Sequence, residues 1–208
     1  RRPYVGTKLS MGKYTNIGFL GANFQWGTYF NGNNLEESVF RAEGLYFSKV
    51  MELGRWKFRQ FFNPEIVYGY HRMDYAKDKI SLNGRYGIDG FDSYTLTGTK
   101  KVLLNFQTQS YAPGQWMGFR FSPFLSAALG WLGDKDQQFV TTDLYSKIGI
   151  GILINNDYLV FQNIQLSIAL YPNMPGNGKN IIKTNKLRND NFELMRFDNG
   201  KPATVPFQ

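Results

Sequence analysis

The stretch LYSKIGIGILIN, residues 144–155, alternates almost without a break. Leu144, Ile148, Ile150, Ile152 and Ile154 fall on one side of an extended chain, with Lys147, Gly149, Gly151 and Asn155 on the other. Successive side chains of a strand point to opposite faces, so this spacing predicts a β-strand with one apolar and one polar face. GIGIG also has the look of a phosphate-binding loop, but no helix pattern follows it, and that chemistry needs the helix. In a strand, Gly149 and Gly151 instead leave room on the polar face for something that packs close.

The same period recurs outward from this segment. Asn16–Phe30 carries Leu20, Phe24 and Trp26 against Asn23 and Gln25. Gly118–Trp131 sets Phe121, Leu125 and Leu129 against Arg120, Ser122 and Ser126, and Gln162–Tyr171 sets Ile164, Leu166 and Ile168 against Gln165 and Ser167. Tyr4–Tyr14, Ser38–Val50, Trp56–Tyr70 and Thr99–Ser110 follow the pattern more loosely. Pro64, inside one of them, predicts a bulge or an edge, because proline donates no ladder bond.

The connections sort by length. Short ones fall at Lys13–Asn16, Met51–Arg55, Ala112–Gln115 and Asn155–Tyr158; long polar ones fall at Asn31–Glu37, His71–Gly98, Gly133–Asp143 and Pro172–Asn191. Short turns on one side and long loops on the other are the asymmetry of a transmembrane β-barrel. Trp26, Tyr29, Tyr68, Tyr70, Trp131 and Tyr171 stand at strand ends, as interfacial girdles require. A soluble sandwich or lipocalin-like barrel also alternates, but has no reason to sort its loops this way. The fold class expected is therefore all-β: an antiparallel transmembrane barrel domain over residues 1–208 with eight to nine strands present.

Composition agrees with that reading. The 208 residues carry 17% aromatics, and Lys+Arg exceed Asp+Glu by 24 to 16. Mean hydropathy is only −0.38, which is what results when lipid-facing and lumen-facing residues cancel. No cysteine is present, which excludes disulfides and thiolate chemistry. A catalytic role for the lone histidine, His71, would need a nucleophile and an orienting acid nearby, and it reads as a loop residue. Asp134, Asp136 and Asp143 lack the glycine and distal glutamate of a calcium loop. Basic residues are scattered, dense only at TKKV and Lys179–Arg188, and no nucleic-acid motif accompanies them. No catalytic residue, metal or cofactor is expected, and no nucleic acid. A basic lumen and anionic lipid head groups account for the charge. The N-terminal RRPYVGTKLS has no apolar signal core, so the chain is expected to be cytosolic, or a mature or truncated piece of an exported protein.

GRYGIDGF (84–91), LTGTKKVLLNFQTQSYAP (96–113), GFRFSPFLSAALGWLGD (118–134) and LYSKIGIGILINNDYLVFQNIQLSIALYPN (144–173) together resemble the BamA/TamA superfamily of outer-membrane assembly factors. The resemblance implies a C-terminal half-barrel in the bacterial outer membrane. It implies that the long loop, 71–98, folds into the lumen and carries a [VI]-R-G-[FY] tip. Ile88, Gly90 and Phe91 match that tip, while Asp89 stands where the family has arginine. An enclosed acid must be paired, so Asp89 is expected to bind a lumenal arginine, Arg120 first and Arg59 second, with nearby Arg85 able to take over the missing arginine's role. Residues 172–208 would hold the last loop and a closing strand near Asn191–Phe207, with FDNGKPATVPFQ at the periplasmic end. The implied function is insertion or translocation of proteins, with client or passenger proteins, accessory lipoproteins and anionic lipopolysaccharide as partners. The alternatives are an anchor for an N-terminal patatin-like or phosphoesterase domain, and a small independent pore.

Overall fold

A computed structural model describes residues 2–72, 79–93, 95–134, 143–156, 163–175, 181–187, 204, 205 and 207. Their strands are β1 (Tyr4–Tyr14), β2 (Gly18–Asn31), β3 (Asn34–Ser48), β4 (Met51–Leu53), β5 (Trp56–Tyr70), β6 (Lys100–Tyr111), β7 (Phe119–Gly133), β8 (Leu144–Asn156), β9 (Asn163–Leu170) and β10 (Ile182–Thr184). All ten lie in one antiparallel sheet, ordered as in the chain, with short β4 alongside the start of β5. Among the described residues the only helical element is a 3-10 turn, Gly84–Tyr86. Among the described residues the sheet is open: β1 bonds only β2, and β10 bonds only β9.

Eight strands are long, within the expected eight to nine, and two expectations about them need correction. Asn31–Glu37 is no loop, because β2 and β3 continue until Asn31 pairs with Asn34. Gly32, at φ 60°, permits the tight turn that matches strand twist. The charges that made this stretch look like a loop have partners at the rim, Glu36 pairing with Arg2 and Glu37 with Arg72. Pro64 makes no bulge either, since Glu43↔Glu65 and Tyr46↔Phe62 keep one register on either side of it. The Asn63 side chain donates to the Gly44 carbonyl at 2.7 Å, supplying a donor where the imide nitrogen has none. Gly44 also makes room for the ring, because a β-carbon there would stand 2.7 Å from Pro64 Cγ. Gly44→Leu should therefore cost about 1–3 kcal/mol through overpacking, read as a lowered urea midpoint with unchanged slope.

The two faces differ in the sense opposite to a water-soluble sheet. One presents Leu20, Phe24, Phe40, Phe62, Ile66, Phe106, Leu125, Ile148, Ile150, Leu166 and Ile168, all exposed. The other buries Asn23, Arg41, Glu65, Lys101, Gln107, Ser126 and Lys147. Beside these polar groups lies an apolar cluster to which β3 (Val39), β5 (Val67), β6 (Leu103), β7 (Ala128), β8 (Tyr145) and β9 (Ala169) each contribute. Strands so far apart in the sheet meet at one cluster only if that face is concave. Its centre is filled by the β5–β6 loop, through Ile80, Leu82, Ile88 and Phe91.

Candidate functional site

The loop that fills the concave face is tied at its neck and its base before it touches the sheet. Ile80 and Gly98 exchange two backbone hydrogen bonds of 2.9 Å. The Asn83 amide does the same with Ser93, donating to its carbonyl at 2.7 Å and accepting its N–H at 3.0 Å. Within the tip, Ile88 N donates to Leu82 O and Phe91 N to Ile88 O. Gly84 and Gly90 have φ of 71° and 70°, a region that glycine enters without steric cost.

One side of the tip is held by β8, β10 and the segment after β9. Asp89 pairs with Lys147 at 3.2 Å, where the lysine side chain is 2% exposed. The Tyr171 hydroxyl donates to the Asp89 carbonyl at 2.5 Å, and Lys183 donates to the Gly90 carbonyl at 2.8 Å. Burial first, and Asp89 second, push the Tyr171 phenol up to about 12, so the hydroxyl keeps its proton and remains a donor at neutral pH. Phe91 meets Tyr145 edge-on at 5.6 Å. Ile88 is fully buried, and Gly130 leaves it space, since a β-carbon there would lie 3.0 Å from Ile88 Cδ1.

The other side is held by four charges on β3, β5 and β6. Arg41 pairs with Glu43 and, at 3.5 Å, with Glu65; Lys101 pairs with Glu65 at 3.2 Å. Lys101 also donates to the Tyr86 carbonyl, and the Arg41 guanidinium lies 5.5 Å from the centre of the Tyr86 ring. Two cations and two anions leave the group neutral. That matters because Lys101 is fully buried, and an uncompensated buried charge costs several kcal/mol.

Asp89 is thus paired with a lysine, and the expected Arg120 is not that partner. Arg120 stands opposite Asn155, whereas Lys147 stands opposite Ala128. Eight positions separate Arg120 from Ala128, roughly 26 Å along the strand at about 3.3 Å per residue. Arg59 lies opposite Gln109, with its guanidinium 5.4 Å from the centre of the Phe47 ring. Arg85 belongs to the 3-10 turn by its backbone, and its side chain lies outside the described residues. Leu187 packs over Gly149, where a β-carbon would stand 2.7 Å from it, and the Phe124 ring covers Gly151 from the neighbouring strand. His71 sits at φ 53° with its ring against Tyr70. Asp136 lies outside the described residues, among which no cluster of metal-ligating side chains occurs.

Most of Asn191–Phe207 lies outside the described residues, but 204, 205 and 207 are not in a strand. Val205 N donates to the Tyr4 hydroxyl, and Phe207 rests on Gly69 and Arg72, at the long-loop rim. Sequence alternation had placed Lys147 on a polar face, and Tyr171, expected in an interfacial girdle, is instead fully buried against the tip; Lys101 and Lys183 carried no signal of their own, because partnership depends on height in the sheet. No protein-family model, no curated protein and no solved structure matches the chain.

Proposed function

We propose that the chain forms the lipid-facing wall of a bacterial outer-membrane β-barrel, and that it serves the insertion or translocation of proteins there. The observation that carries this reading is the inverted sheet, with an exposed apolar face and a concave face that buries charges. Contiguous exposed apolar surface on this scale is unfavourable in water and favourable against lipid. From Tyr68 to Phe58 on β5 is ten positions, roughly 33 Å along the strand, or about 25 Å when tilted by about 40°. That is the height of the apolar band in such barrels. Trp26, Tyr68, Tyr70 and Trp131 border it at one rim, and Trp56 and Trp116 at the other. Lys100 reaches over the Tyr68 ring at 5.0 Å, suiting a cation at head-group level.

Two features support assembly over an independent pore. The eleven residues of β1 present an edge whose only partner among the described residues of the sheet is β2, and an open edge templates an incoming strand. At the other end β10 has three residues, a short ladder that separates at low cost. The partners implied are anionic outer-membrane lipids and unfolded client proteins.

The test is reconstitution into vesicles containing brominated lipid, followed by addition of a urea-unfolded outer-membrane barrel protein. Tryptophan quenching and faster client folding than in empty vesicles are expected. No quenching overturns the wall; quenching without acceleration overturns assembly, and single-channel conductance then identifies a pore. Ile150→Arg, at mid-height of the apolar face, should destabilise the inserted form by about 2–4 kcal/mol, measured by urea titration in the same vesicles.

A further inference from the structure

We infer that the long-loop rim of the concave face carries a binding site for an extended, aromatic-bearing peptide segment, filled here by the chain's own C-terminal tail. The ring of Phe207 enters the space left by the missing side chain of Gly69, where any β-carbon would collide with it. The Arg72 guanidinium lies 3.8 Å from the ring centre. Arg72 is itself held by Glu37, its side chain 9% exposed, so a desolvated cation faces the ring, where cation–π attraction is strongest. Two residues back, Val205 donates its backbone N–H to the Tyr4 hydroxyl at 2.8 Å. Gly27 makes room for that hydroxyl in turn.

The site therefore reads one aromatic side chain and one backbone amide two positions earlier, with no acid or base demanded of the ligand. Both Val205 and Phe207 also pack against the cluster that holds Ile88 and Phe91. Because the occupant is tethered, a free segment of the same chemistry competes against an effective concentration of the order of millimolar. Tail release is thus the step that opens the site, whether or not the sheet lies in a membrane.

The chain has no cysteine, so Gly6→Cys with Thr204→Cys in the full chain gives a proximity test that leaves Phe207 and Gly69 intact, since a β-carbon at Gly6 would stand 3.1 Å from the Tyr4 hydroxyl that holds Val205. A short bis-maleimide should link the pair within the chain, and excess hexapeptide ATVPFQ should reduce the yield. The second measurement uses a chain ending at residue 203 and fluorescein-labelled ATVPFQ, followed by anisotropy. The shortened chain should bind at least tenfold tighter than the full chain, and labelled ATVPAQ should bind at least tenfold more weakly. Absence of the intramolecular link overturns the docked tail, and equal binding of the two peptides overturns aromatic recognition.

Discussion

Glu65→Gln should destabilise the fold by about 3–5 kcal/mol, the cost of breaking a buried ion pair from one side. Glu65 is the anion shared by Arg41 and Lys101, and all three are buried. Neutralising it leaves two cations against Glu43 alone, an excess positive charge where water does not reach Lys101. An amide oxygen can still accept a hydrogen bond, but it supplies no compensating charge. The control is the double variant Glu65→Gln/Lys101→Met, which returns the group to neutrality and should recover more than half of the loss. Urea unfolding followed by tryptophan fluorescence in detergent measures both. A loss below about 1 kcal/mol for the single variant, the range of exposed pairs, would show that the cluster is hydrated.

Gly90→Val should expel the loop tip while leaving the sheet intact. At φ 70° a β-branched residue is strained from the outset. Its Cβ would also meet the Tyr171 hydroxyl and, at 2.6 Å, Lys186 Cβ. Tyr171 cannot swing away cheaply, being fully buried and bonded to the Asp89 carbonyl. The tip must move instead, and Ile88 and Phe91 leave with it, forfeiting about 1.5–3 kcal/mol each. Trypsin cleavage after Arg85 should rise at least tenfold, with the circular dichroism of the sheet unchanged. Gly84→Ala is the matched comparison, because Gly84 has nearly the same φ, 71°, but nothing within 4 Å. It should show backbone strain alone and little added cleavage. Equal cleavage of the two variants would show that Tyr171 does not hold the tip.

The strands were legible in the chain because alternation is local. Each residue's face follows from its neighbours, and Tyr4–Tyr14 and Trp56–Tyr70 have the bounds that the pattern predicts. Height along the sheet is not local. Arg120 and Lys147 both project from polar faces, and only the β7–β8 register decides which comes level with Asp89. The same limit hid the cluster around Glu65, whose members are spread over three strands. Asn31–Glu37 was hard for another reason. Acids beside asparagines resemble a loop until their arginines, Arg2 and Arg72, are brought alongside from elsewhere in the chain.

The position of the tip in the chain also fixes an order in time. Asp89 precedes Lys147 by 58 residues, and Gly90 precedes Lys183 by 93. During synthesis or export the tip emerges first and has half of its seat to wait for, whereas Arg41, Glu43 and Glu65 are already in place. Docking completes only when β8, Tyr171 and β10 have arrived, so the seated tip records that the sheet has been laid down as far as β10. A chain stalled before residue 183 would carry its loop loose and open to cleavage after Arg85.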